Sequence, residues 1–335
     1  MTGVDDSITI FTMKATPTHP YPENFDEFLD WFSTEDDCLD YLAWIRWPTG
    51  FRCPKCGHDQ YWKMGTGLRR CTKCEFKCSV KAGTIFKDGR KSLRLWFNVM
   101  WLLMAQKTGM SAQNFHDAFG FGSYQTSWGW LQKLRSVMIR PGRELLDGRI
   151  ELDETYVGGR KEGKRGRGAA SKTLVLTAVE GEKGGKLGRV RFRVISSHSA
   201  AEIKTFVQDY IKPGAIVVTD GLKSYSFLDG LGFQHETYVM SSPRTDDIEG
   251  EAESNLEHVH LVISLLKRWL LGTHQGAVTP HHLHSYLDEF AFRFNRRTST
   301  HRGKLFYRLM QQAAQAKPTG IKNFYVSGLG RRVVK

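Results

Sequence analysis

No stretch of this sequence stays apolar long enough to cross a bilayer. The longest run, Leu93 to Ala105, is broken by Arg94 and Asn98 and falls short of the roughly 20 residues a span requires. The first residues, MTGVDDSITIFTMK, open acidic and lack the basic start and cleavage site of a signal peptide. No internal repeat is evident. The expectation is a cytoplasmic protein with no membrane partner. Cysteine is scarce, six among 335 residues, and in a reducing compartment those thiols stay available to metal.

Acidic residues are also in deficit. Lys and Arg number 48 against 35 Asp and Glu, a formal charge of +13, with a sequence pI near 9.5. Such an excess favours a polyanion, because each phosphate contact releases condensed counterions. The apolar share, 40%, suffices for real cores and argues against global disorder. Charge is unevenly spread: ENFDEFLDWFSTEDDCLD, residues 23–40, is acidic, and after Arg46 the chain turns basic. The acidic stretch reads as a solvated helix face with Phe25, Phe28, Leu29 and Phe32 inward, or as a segment docking on a basic surface of the same chain.

Composition shifts and turn signals divide the chain. Residues 1–50 read as an N-terminal helical region ending at the turn WPTG, 51–90 as a cysteine-bearing segment, 91–142 as helical and aromatic, 149–316 as alternating strands and helices, and 317–335 as a tail. The fold class is α/β, with a mixed sheet flanked by helices. RIELDETYV, KTLVLTAVE, RVRFRVIS, Ala215 to Val218 and HETYVM read as strands. Ala200 to Ile211 and three later segments, 255–271, 280–296 and 302–316, read as helices.

Cys53 and Cys56 form one C-x2-C pair, Cys71 and Cys74 another, with fourteen residues between them. Two such pairs offer four thiolates in a tetrahedron, which suits structural Zn(II), and the intervening YWKMGTGLRR reads as a hairpin, giving a zinc ribbon. Cys38 and Cys78 read as small core hydrophobes. Downstream, Ser111 caps one short helix, Gly120 and Gly122 break it, and Ser123 starts another. In a DNA-binding helix-turn-helix, Tyr124, Gln125, Ser127 and Trp128 would lie near the groove and Lys133 and Arg135 near phosphates; otherwise the segment is a packing domain.

Asp153 sits on a strand between hydrophobics, and Asp220 ends another strand in AIVVTDGLKSY. Two strand-borne carboxylates on a mixed sheet can converge on divalent metal, although a strand-end Asp is also a common turn residue. DETYVGG, TDGLKSY, SLLKRWLLGTHQG and YLDEFAFRFNRR together resemble the bacterial insertion-sequence transposases that join a zinc ribbon to an RNase H-like DDE-type domain, from about Asp36 to Gln312. The resemblance implies an RNase H-like catalytic core, Mg(II) or Mn(II), and cutting and strand transfer at the inverted repeats of transposon ends. It also implies a third metal position on a late helix, where Glu, Asn or His can stand with Lys seven residues on. Here those are His260 and Lys267, with Arg268 near the same face; seven residues return to within about 20° on a helix. Glu257, one turn earlier, is the rival third ligand. The SLLKRWLLGTHQG register favours His260, and an imidazole ligand would favour Mn(II) over Mg(II).

RKEGKRGRGAASK follows DETYVGG directly. Arg160, Lys161, Lys164, Arg165 and Arg167, with Lys172 beyond them, read as a phosphate-gripping arm or a solvated loop. His274, His281, His282 and His284 resemble a metal cluster, but a helix start at Thr279-Pro280 would point them apart. The expected partners are transposon ends and target DNA, and bringing two ends together calls for a homodimer or a larger synaptic complex, nucleoid-associated when bound. A catalytically inactive or domesticated zinc-ribbon regulator and a stand-alone RNase H-like nuclease are the alternatives.

Overall fold

The structure, a computed structural model, describes residues 14–320 except 66, 88, 90, 141, 159–171, 183, 239–255 and 277, together with Phe324. The chain opens with α1 (Phe25–Trp31) and α2 (Glu35–Arg46), then the short strands β1 (Tyr61–Lys63), β2 (Leu68–Cys71) and β3 (Lys77–Ser79). Next come α3 (Leu93–Ala105), α4 (Ala112–Phe119), α5 (Tyr124–Ser136), β4 (Arg149–Val157), β5 (Thr173–Gly181) and β6 (Leu187–Ile195). The order closes with α6 (Ala200–Tyr210), β7 (Ile216–Thr219), β8 (Gln234–Thr237), α7 (Glu257–His274), α8 (Leu283–Phe294) and α9 (Arg302–Gln315). Two compact units result: residues up to 107 together with 299–320, and residues 108–298.

In the first unit β1, β2 and β3 form an antiparallel sheet, and the β1–β2 hairpin lies between the two cysteine pairs. The helices gather an aromatic core. The rings of Phe28 and Trp101 are 4.6 Å apart, those of Phe32 and Phe97 4.9 Å, and Phe306 of α9 packs among them. Of the four apolar residues expected inward near α1, Phe28 and Phe32 are buried, whereas Phe25 and Leu29 are exposed. Those two sit four apart on the neighbouring edge of the helix, and Trp31 takes the inward place. Part of the acidic stretch is used within the unit. Asp40 pairs with Lys63 at 2.7 Å and Arg69 at 2.8 Å, and Glu35 accepts the Leu93 and Arg94 N–H groups at the start of α3. Helix α9, expected to close the α/β domain, packs instead on α2 and α3. It comes so near residue 22 that a Cβ on Gly303 would lie 1.6 Å from the Pro22 carbonyl oxygen.

The second unit is built on a five-stranded sheet in the order β6-β5-β4-β7-β8. β4, β5 and β6 pair antiparallel, and β4–β7 and β7–β8 pair parallel. With helices on both faces this is an RNase H-like fold. β5 is apolar on both sides: Leu174, Leu176 and Ala178 face the core under α6, and Val175 and Val179 face the core under α7 and α8. Helix α7 presents Val259, Val262, Ile263, Leu266 and Leu270, a helical stripe, to that second core.

Helices α4 and α5 form a helix-turn-helix pair, with Gly120 left-handed at φ 60° and Ser123 accepting the Thr126 N–H. The inward face of α5 includes Ser127 and Arg135, so neither is placed for a groove or a phosphate. Arg135 donates to Glu289 of α8 at 2.7 Å, and Arg293 donates to the other Glu289 oxygen at 3.0 Å. Burial opposes ionisation of Glu289, but the two guanidinium charges hold it below the usual carboxylate range. The second late helix also starts later than the Thr-Pro pair suggests. Pro280–His282 form a 3-10 turn, and Thr279 makes no side-chain cap.

Candidate active site and zinc centre

All four cysteine sulfurs of the ribbon lie within 4.8 Å of one another, with Cys53–Cys74 and Cys56–Cys71 each 3.6 Å apart. Four sulfurs at Zn–S bond length on a tetrahedron are about 3.8 Å apart, so the set fits zinc. The turns explain why C-x2-C suits this work. Burial opposes the Cys53 thiolate, but the Cys56 and Lys55 backbone N–H groups bring the thiol down to about 7. Cys74 and Lys73 N–H groups act likewise on Cys71. Cys78 packs beside the cluster and Cys38 within α2; burial raises both thiols, as suits core residues.

In the second unit the parallel register pairs Glu151 of β4 with Val218 of β7. Asp153 lies two residues further along β4, Asp220 directly follows β7, and the charges of both act on Glu154 and on His260. Helix α7 crosses this end of the sheet. The His260 Nε2 lies 3.4 Å from the Asp153 Oδ2. Asp153, as hydrogen-bond partner and charge, raises the His260 pKa; burial opposes, and Glu151 and Asp220 add to the rise. Among the described residues His260, not Glu257, is the α7 side chain that reaches Asp153; Glu257 is exposed at the first residue of the helix. Lys267 is exposed two turns on, within the field of Asp153 and Lys172, and Arg268 is exposed beside it. Partial burial lowers the Lys267 pKa, Lys172 adds to this, and Asp153 opposes it.

Two ligand atoms at a shared octahedral Mg(II) or Mn(II) vertex pair are about 3 Å apart, so the Asp153–His260 spacing fits such an ion. Among the described residues, the cysteines are the one metal-binding group already gathered within 4.8 Å; Asp153, Asp220 and His260 form a more open set. Arg160, Lys161, Lys164, Arg165 and Arg167 lie outside the described residues. The histidines of the 274–284 segment serve packing: His274 makes edge contacts with Trp269 at 4.8 Å and Tyr286 at 4.6 Å, and His281 abuts His282.

Sequence reading overlooked Glu154, next to Asp153. Burial raises its pKa, as do the Asp153 and Asp220 charges, while Tyr225 opposes, and His198 lies 3.7 Å away. A cleft of about 340 Å³ opens nearby, lined by Tyr156, Lys172, Ser196, Ser197, His198 and Pro280 among others. The Asp-Glu dipeptide was the available signal, but only the first carboxylate faces α7.

Residues 145–295 match the ISXO2-like transposase domain, and residues 33–77 match the transposase zinc-ribbon domain. The two matches together support an insertion-sequence transposase with a zinc ribbon ahead of a DDE-like domain. An uncharacterized protein in transposable element ISH50 of Halobacterium salinarum is 27% identical over 281 residues, covering 78% of this chain and 91% of that protein. The catalytic core domain of BIV integrase is 17% identical with a TM-score of 0.30, covering 47% of this chain and 89% of that one. A score that low adds nothing to the topology already described. No helix among the described residues is long and apolar enough to cross a membrane.

Proposed function

We propose that this chain binds the terminal inverted repeats of a mobile element, cuts a phosphodiester there and joins the freed 3′ end to target DNA. The observation that carries this reading is His260 of α7 lying 3.4 Å from Asp153 of β4, with the Asp220 charge, just past the neighbouring parallel strand β7, also acting on it. In it, Asp153, Asp220 and His260 hold divalent metal, and Glu257 does not. Such an ion polarises a water or a 3′-hydroxyl and stabilises the leaving oxygen. Lys267 and Arg268 hold the DNA backbone beside the carboxylates, and Arg160, Lys161, Lys164, Arg165 and Arg167 grip further phosphates. Neutralising those five should flatten the slope of log affinity against log salt by up to about 0.9 for each phosphate they hold. The ribbon holds structural Zn(II). Two DNA ends call for a homodimer or larger synaptic complex, working in the cytoplasm on the nucleoid.

Nicking of supercoiled plasmid, followed by joining of a 3′-OH end, tests the reading. Wild type should nick and join, faster in Mn(II) than in Mg(II), and Asp153→Asn and His260→Ala should fail. Equal, metal-independent DNA binding without nicking would make the chain a DNA-binding regulator. Cleavage without joining would make it a nuclease. Loss of activity in Glu257→Ala but not His260→Ala would move the third ligand.

A further inference from the structure

Helix α7 begins at Leu256, which supplies no side-chain cap. The N–H of Val259, in the first turn, is taken instead by the Glu151 Oε2 at 2.8 Å, from β4, 108 residues away in sequence. The other oxygen of the same carboxylate, Oε1, receives the His258 Nδ1 at 2.8 Å. The His258 Nε2 lies 3.3 Å from the Gly185 carbonyl oxygen in the β5–β6 turn. The ring fits there because residue 181 is glycine, where a Cβ would come within 3.0 Å of it. Glu151 is 3% exposed and His258 8%.

A carboxylate at a helix start satisfies a donor that has no partner inside the helix and sits at the positive end of the helix dipole. Burying that charge is costly unless it is fully bonded, as here. The packed stripe of α7 fixes which way the helix faces. Hydrogen bonds to Glu151 fix its height. Glu151 precedes Asp153 by two residues on the same face of β4, and Val259 precedes His260 directly. The carboxylate that holds the helix start therefore sets the gap between Asp153 and His260.

We propose that Glu151, with His258, is a positioning clamp that sets the Asp153–His260 spacing for divalent metal. This rests on the metal-site reading above. The test uses the full chain, with Mn(II) binding followed by electron paramagnetic resonance and amide hydrogen exchange followed along α7. Glu151→Ala should weaken Mn(II) binding by about 10- to 100-fold. It should also speed exchange at 257–262 while 266–270 stays protected. Glu151→Gln keeps an acceptor for Val259 without the charge and should fall between, which keeps the test open if the alanine variant does not fold. Affinity within about twofold of wild type in the folded glutamine variant, or faster exchange spread evenly along α7, overturns the clamp. Wild type that binds no Mn(II), or Asp153→Asn that binds it as well as wild type, overturns the metal site itself; the exchange measurement, made without metal, still reports separately on the hydrogen bond.

Discussion

The ribbon gathers its ligands from two tight turns, each supplying a pair of thiols three residues apart, whereas the sheet unit gathers its candidate ligands from two strands and a helix spread over more than a hundred residues. In the ribbon the ligands lie within 4.8 Å of one another around a small core, Phe51 with three buried cysteines, Trp47 and Cys74 packed against it, and Asp40 of α2 ties the hairpin down through Lys63 and Arg69. In the sheet unit two apolar cores, one on each face, hold the strands and helices, with Asp153 midway along β4 and Asp220 just past β7. A site made of local turns depends on its metal to exist. One that is hung on a packed sheet can keep its framework without metal and lose only its chemistry.

The contrast can be broken experimentally. Cys71→Ser, or zinc removal by a chelator, should unfold residues 51–80, losing on the order of 10 kcal/mol of metal-linked folding free energy. Protection from hydrogen exchange should collapse there while β4, β5 and β7 stay protected; loss of protection in both would erase the distinction. Asp153→Asn should lower nicking by about a thousandfold, equivalent to about 4 kcal/mol of barrier. Circular dichroism and thermal midpoint should be unchanged, since Asp153 lies at the margin of the packed core. Arg135→Met leaves Glu289 buried without its main partner and should cost about 3–5 kcal/mol, read from urea denaturation of the sheet unit. A variant as stable as wild type would show that the ion pair does not hold α5 to α8.

The smallest effect concerns acid. Burial brings His274 down to about 4, with the Arg135 and Arg293 charges helping and Glu289 opposing. Its folded pKa is thus below its unfolded value of about 6.5. The unfolded chain binds the extra proton between those two values, so the contribution is fully present above about 6.5 and is lost as pH falls towards 4. Denaturation of the sheet unit at stepped pH should show this loss, and His274→Phe should lessen it. An unchanged slope in that variant would place the acid sensitivity elsewhere.

Legibility in the sequence follows the range of the interactions. Cys53, Cys56, Cys71 and Cys74 could be read because each pair is made within one turn. The strands that carry Asp153 and lead to Asp220 could be read from their apolar patterns, and that they are neighbours in the sheet follows from a pairing that no local pattern states. Glu151 escaped notice because its partner, the start of α7, is 108 residues away. Arg135 was misread as a phosphate contact because its partner Glu289 is 154 residues away. Helix α9 has an ordinary amphipathic pattern, which says that it packs but not on what.

The partition of α9 has a consequence for synthesis. Its helix completes the aromatic core of the first unit, yet about 190 residues of the second unit are made between α3 and α9. At elongation rates of about 5 to 20 residues per second that interval lasts about 10 to 40 s. The ribbon can close on zinc soon after residue 79 emerges from the ribosome, and the sheet can form while Phe28, Phe97 and Trp101 still await Phe306. The first unit to begin folding is thus the last to finish, and a ribosome stalled before residue 302 leaves that aromatic surface uncovered.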